Sequence, residues 1–117
     1  MRIMLIDVHA HTFPDAIAER ASKKLVEKTQ NTIAAVSDGT LSGLLVQMRK
    51  SQVDASVLCP IATRPEQWEG ILNEACAISE GAYGIEAQTH VIPLSSVHPA
   101  DEQAEAHLTC VAERGIV

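Results

Sequence analysis

Aromatic side chains are almost missing from this chain: one tryptophan, one tyrosine and one phenylalanine, 3% of 117 residues. That excludes a stacking platform for bases. Basic residues are also few, nine lysines and arginines against fifteen acids, for a net charge of −6 with no basic stripe. Nucleic acid is therefore not an expected partner. No apolar run approaches the ~18 residues of a membrane span. The opening MRIMLID meets an acid too early for a secretory signal, so no membrane partner is expected either. Cysteine is scarce and badly spaced for pairing. Cys59, Cys76 and Cys110 are far apart and contain no CxxC. This argues against a disulfide framework and for a reduced, cytoplasmic setting. Phosphate loop, G-x-S-x-G elbow, internal repeat and low-complexity tract are all absent from the sequence.

What is present is a globular composition, 46% hydrophobic and 21% charged, sufficient for a single domain over residues 1–117. Three apolar runs with β character recur, at 3–8, 53–62 and 91–97. Helix-like segments separate them. One starts at Pro14 and runs to about Lys28, with Ile17, Ala18, Ala21 and Leu25 on one face. A loop follows, with a possible short extra strand at 32–36. Thr40 is placed to cap a second helix carrying Leu41, Leu44, Leu45 and Met48. A third helix starts near Pro65 and buries Trp68, Ile71, Leu72 and Ala75. A fourth begins after Pro99 with Ala104, Leu108 and Val111 inward, and ends at Gly115.

The order βα(α)βαβα predicts parallel strands joined by crossover helices, an α/β fold. Two details disturb it. Pro93 removes a ladder donor from the third strand and predicts a bulge or local irregularity. The helix ending near Ser51-Gln52 lacks the usual terminal glycine, which costs up to ~1 kcal/mol if that position is left-handed.

The chemistry concentrates at the end of the first run, Asp7-Val8-His9-Ala10-His11. Regular strand alternation puts Asp7, His9 and His11 on one face. Met4, Ile6, Val8 and Ala10 occupy the other, as in a strand buried on both sides. In parallel α/β sheets the carboxyl ends of strands carry the site. Two imidazoles there can converge on one divalent ion, zinc first, with an open position for water. Asp7 could orient a ligand histidine from behind, or cap the strand end. The competing reading makes His9 and His11 polar strand-end residues bonded to loops.

Ile6-Asp7-Val8-His9-Ala10-His11-Thr12-Phe13-Pro14 resembles the first-strand signature of the amidohydrolase superfamily. It looks most like the hydrolase and decarboxylase branch related to aminocarboxymuconate semialdehyde decarboxylase. Asp38-Gly39-Thr40, the run from Leu58 to Gln67, and Ser95-Ser96-Val97-His98-Pro99 are similar to later parts of that pattern. The resemblance implies a (β/α)8 barrel of which this chain supplies about the first three βα units. It also implies His9 and His11 as metal ligands, with a small-molecule substrate. The implied reaction is hydrolysis of an amide, ester or lactone-like bond, or decarboxylation or hydration of a small carboxylated substrate. Gln52 departs from the family, which usually has glycine there. The remaining ligands and the catalytic aspartate of that family come from later strands, which the 117 residues do not contain.

Other residues were weighed against plain structural roles. His98 would be delivered to the same mouth as His9 and His11, to contact metal or substrate, or else packs its loop. Arg64 could meet a substrate carboxylate with its guanidinium fork, or is a surface charge. His90 lies at the amino end of its strand, away from the mouth, and His107 is expected as a solvated helix residue. Cys59, Cys76, Cys110 and Trp68 are expected as core. A barrel takes ~250 residues, so three units predict an exposed inner sheet face. Self-association or a barrel-completing chain is the expected partner. Two alternatives remain: a truncated, catalytically incompetent fragment with an incomplete metal site, and a PHP-type phosphoesterase.

Overall fold

The structure is a computed structural model and describes every residue except Ile33, Ala35 and Val36. The possible strand at 32–36 lies outside the described residues. The elements follow in the order β1 (Ile6–Ala10), α1 (Ala18–Lys28), α2 (Leu41–Ser51), β2 (Ala55–Leu58), a 3-10 turn (Pro65–Gln67), α3 (Trp68–Ser79), α4 (Ile85–His90), β3 (Val91–Pro93) and α5 (Ala104–Glu113). The strands form one parallel sheet in the order β1-β2-β3. The fold is α/β. No helix among the described residues is long and apolar enough to cross a membrane.

Helix starts are set by side chains that take up orphan backbone donors. The Thr40 hydroxyl accepts the Gly43 N–H at 3.0 Å, so α2 begins at Leu41 as expected. The first helix starts later than Pro14. The Pro14 carbonyl is taken by the Ile17 N–H at 2.9 Å, an i→i+3 turn, and the regular ladder opens only with Ala21 N–H on the Ile17 carbonyl. Likewise α5 starts at Ala104, because Asp101 organises a turn after Pro99. Its Oδ1 accepts the Gln103 N–H at 2.9 Å, and its own N–H reaches the His98 carbonyl at 3.0 Å. The short helix α4 carries no sequence signal that singled it out.

Two clusters make the core. Ala10, Leu41, Met48, Leu58, Ile78, Ala87 and Val91 join the sheet to α2, α3 and α4. Leu72, Ala75, Cys76, Val111 and Ile116 join α3 to α5. Within α5, Leu108 is half-exposed and not inward as expected; Val111 carries the contact instead. Cys59 and Cys110 are only partly buried, whereas Cys76 is in the core.

The first strand departs most from expectation. It is not buried on both sides: Ile6 is 45% and Val8 71% exposed, because β1 is an edge strand and helices cover only one face. The irregularity expected at Pro93 is elsewhere. The β2–β3 register runs without a break to Leu58↔Pro93. The β1–β2 register slips between Asp7 and Ala10. A proline at the last residue of an edge strand removes a donor that has no strand to meet.

Candidate metal centre

The register slip decides which side chains meet. Asp7 pairs with Ser56 and Ala10 with Leu58, two residues on a single face of β2. Strict alternation would have put Asp7 and Ala10 on opposite faces. One extra residue in β1 brings them to the same side and turns His9 and His11, which flank Ala10, to the other. Asp7 is thus separated from the two imidazoles, contrary to the expected three-residue line. Its Oδ1 accepts the His9 backbone N–H at 3.0 Å. The carboxylate holds the backbone of the bulge.

His9 and His11 do come together. Their Nε2 atoms are 3.0 Å apart, and the rings meet edge to face with centroids 4.8 Å apart. The next link is a backbone group. Nδ1 of His11 lies 2.7 Å from the Cys59 carbonyl oxygen. That oxygen can only accept, so Nδ1 carries the proton and Nε2 presents its lone pair. A ligating histidine is commonly held in this way. The carbonyl is fixed in turn, since the Cys59 N–H donates to the Ala10 carbonyl at 2.9 Å. Just beyond the pair, the Phe13 N–H donates to the Gly39 carbonyl at 2.8 Å, which anchors the chain as it leaves β1. Gly39 has φ +78°, and a Cβ there would strike the Ser22 hydroxyl, so this anchor requires glycine.

No protein-family model, curated protein or solved structure matches the chain.

Two nitrogens 3.0 Å apart can both reach one ion at the usual bond length of ~2.0–2.1 Å, since twice that length exceeds their separation. The same separation is that of a hydrogen bond from one ring N–H to the other ring nitrogen. Among the described residues, however, no group of three or more His, Cys, Asp or Glu side chains is arranged to hold an ion. His98 is occupied locally, its Nδ1 accepting the Ala100 N–H at 3.1 Å. Arg64 pairs with Glu66 at 3.4 Å, both about two-thirds exposed, as a surface ion pair. His90 ends α4 with Nδ1 3.0 Å from the Asp54 carbonyl, at the amino end of the sheet as expected. Two surface hollows, of about 260 and 390 Å³, are lined by other residues.

Sequence reasoning missed the Cys59 carbonyl, because a backbone acceptor leaves no trace in residue identity. It also misplaced His107. That ring is only 16% exposed, its Nδ1 2.5 Å from Asp101 Oδ2, and it stacks on Trp68. An acid six residues before a histidine at a helix start was the available signal.

Proposed function

We propose that the chain is the amino-terminal part of a metal-dependent, amidohydrolase-like enzyme, contributing about the first three units of a (β/α)8 barrel. Parallel strands in sequence order with helices between them support the architecture. The observation that carries the functional reading is the His9–His11 pair, Nε2 to Nε2 at 3.0 Å, with the outer nitrogen of His11 tied to the Cys59 carbonyl. In this reading His9 and His11 hold a divalent ion through Nε2, with zinc, which takes imidazole nitrogen readily, put first. Cys59 fixes the tautomer of His11. Asp7 steadies the bulge that presents His9. When bound, such an ion supplies a water with a pKa near ~7, or polarises a carbonyl. The substrate is a small molecule bearing an amide, ester or lactone-like bond, or a small carboxylated compound that is decarboxylated or hydrated. Three free thiols suit a reducing, cytoplasmic compartment.

A second reading is favoured by one observation. Among the described residues no third ligand joins the pair. Two imidazoles alone bind weakly and include no positioned base. The chain by itself is then a metal-binding but catalytically incompetent partial barrel, completed by further copies or by another polypeptide. A PHP-type phosphoesterase requires additional acidic and histidine ligands, and nothing here favours it.

Calorimetric titration with Zn²⁺ tests both readings. One ion per chain is expected, lost in His9→Ala and in His11→Ala. Turnover of amide, ester or lactone substrates by the zinc-loaded protein selects the enzyme, and uptake without turnover selects the incomplete site. Zinc uptake unaffected by either substitution rejects both.

A further inference from the structure

A second cluster of titratable and aromatic groups lies apart from the histidine pair and does not depend on the proposed function. Asp101 sits in the loop that returns from β3, and His107 lies in the first turns of α5. Nδ1 of His107 is 2.5 Å from Asp101 Oδ2, with the two side chains only 16% and 7% exposed. The imidazole also stacks on the indole of Trp68, at the start of α3, with centroids 3.8 Å apart and planes 11° from parallel. Asp101 uses its other oxygen to hold the Gln103 N–H at 2.9 Å. One carboxylate thus organises the entry to α5 while one imidazole bridges that entry to α3.

We propose that Asp101, His107 and Trp68 form a proton-operated clamp that fastens α5 and its preceding loop to α3. With His107 protonated, the Asp101 contact is an ion pair and the imidazolium lies flat on an indole face. With His107 neutral, an ordinary hydrogen bond and an uncharged stack remain. Near neutrality histidine changes charge as a class, so proton uptake tightens the junction where it is needed. Other titratable groups lie close by. Glu66 from the 3-10 turn and Glu102 from the loop line the same open groove of about 390 Å³, and His98 in the loop is the nearby opposing base. The loop is also tied to the segment that follows β2, where the Ser96 hydroxyl accepts the Ala62 N–H at 3.2 Å.

Trp68 is the only tryptophan, so its fluorescence reports the clamp directly. A protonated imidazole stacked on indole quenches it. Emission is expected to fall in a single-proton step between about pH 8 and 5. The ring C–H resonances of His107 should titrate with the same midpoint. His107→Gln should remove the step. Asp101→Asn should keep it but lower its midpoint by about one pH unit, the effect of losing an adjacent opposite charge. The clamp is refuted by any of three results: no step in the native protein, a step surviving His107→Gln, or an unmoved midpoint in Asp101→Asn. Should either variant fail to fold, the native protein still decides, because different midpoints for Trp68 and His107 also refute it.

Discussion

Gln52 follows α2 with φ 55° and ψ 35°, a left-handed conformation that a side chain resists. Its N–H bonds to the Arg49 carbonyl at 3.4 Å and the Val53 N–H to Met48 at 2.9 Å, so the helix end is fully closed. The position needs the conformation but lacks the residue best able to adopt it. Gln52→Gly is therefore expected to stabilise the protein by up to ~1 kcal/mol, read from the denaturant midpoint at constant slope. A loss of stability would mean that the Gln52 side chain makes a contribution that outweighs the backbone strain. The same scale contains the least satisfied group of the core. Ser56 is fully buried at the centre of the sheet, and its hydroxyl has no hydrogen-bond partner among the described residues. It pairs with Asp7 in the β1–β2 ladder.

At the scale of elements, the junction between β3 and α5 adds charged contacts to the apolar cluster of Val111 and Ile116. Hydrogen bonds from His107 first, and then from the Gln103 backbone, hold the Asp101 carboxyl below the usual carboxylate range. Asp38 is lowered in the same direction, by the Thr40 hydroxyl and then the Thr40 N–H at the start of α2. A carboxyl whose folded value lies below its unfolded value of ~3.9 contributes stability that is complete above that pH. The contribution disappears as pH falls through the lower folded value. Thermal midpoints measured from pH 5 downward should thus decline steeply, and Asp101→Asn should flatten part of the decline. An identical acid limb in that variant would remove Asp101 from the account.

Over the whole molecule, the unbalanced feature is the sheet. Ile3 and Met4, just before β1, are 84% and 71% exposed, Val8 within β1 is 71% exposed, and Ile92 on β3 is 46% exposed. An apolar edge strand with an open ladder is a template for another strand. Self-association is the expected outcome, seen as a sedimentation coefficient that rises with concentration. The double variant Ile3→Lys, Val8→Lys should suppress it while leaving the thermal midpoint within about 1 °C, since neither side chain packs in the core. A native protein that sediments as a monomer across the whole range would show that the exposed strand is not an association surface.

The sequence by itself determined the α/β class, the parallel order of three strands, the Thr40 cap and the convergence of His9 with His11. Each rests on short-range regularities, such as apolar period, capping chemistry and residues two apart on extended chain. Other features required the tertiary structure. The slip between Asp7 and Ala10 belongs to the pairing of β1 with β2, and it alone turns Asp7 away from the imidazoles. The Cys59 carbonyl reaches His11 across 48 residues, and Trp68 meets His107 from another helix. Burial, too, was misjudged from pattern: β1 has the composition of a covered strand, yet exposure depends on which neighbours are present to cover it. Local chemistry selects an element; only the packing of distant segments decides what its side chains touch.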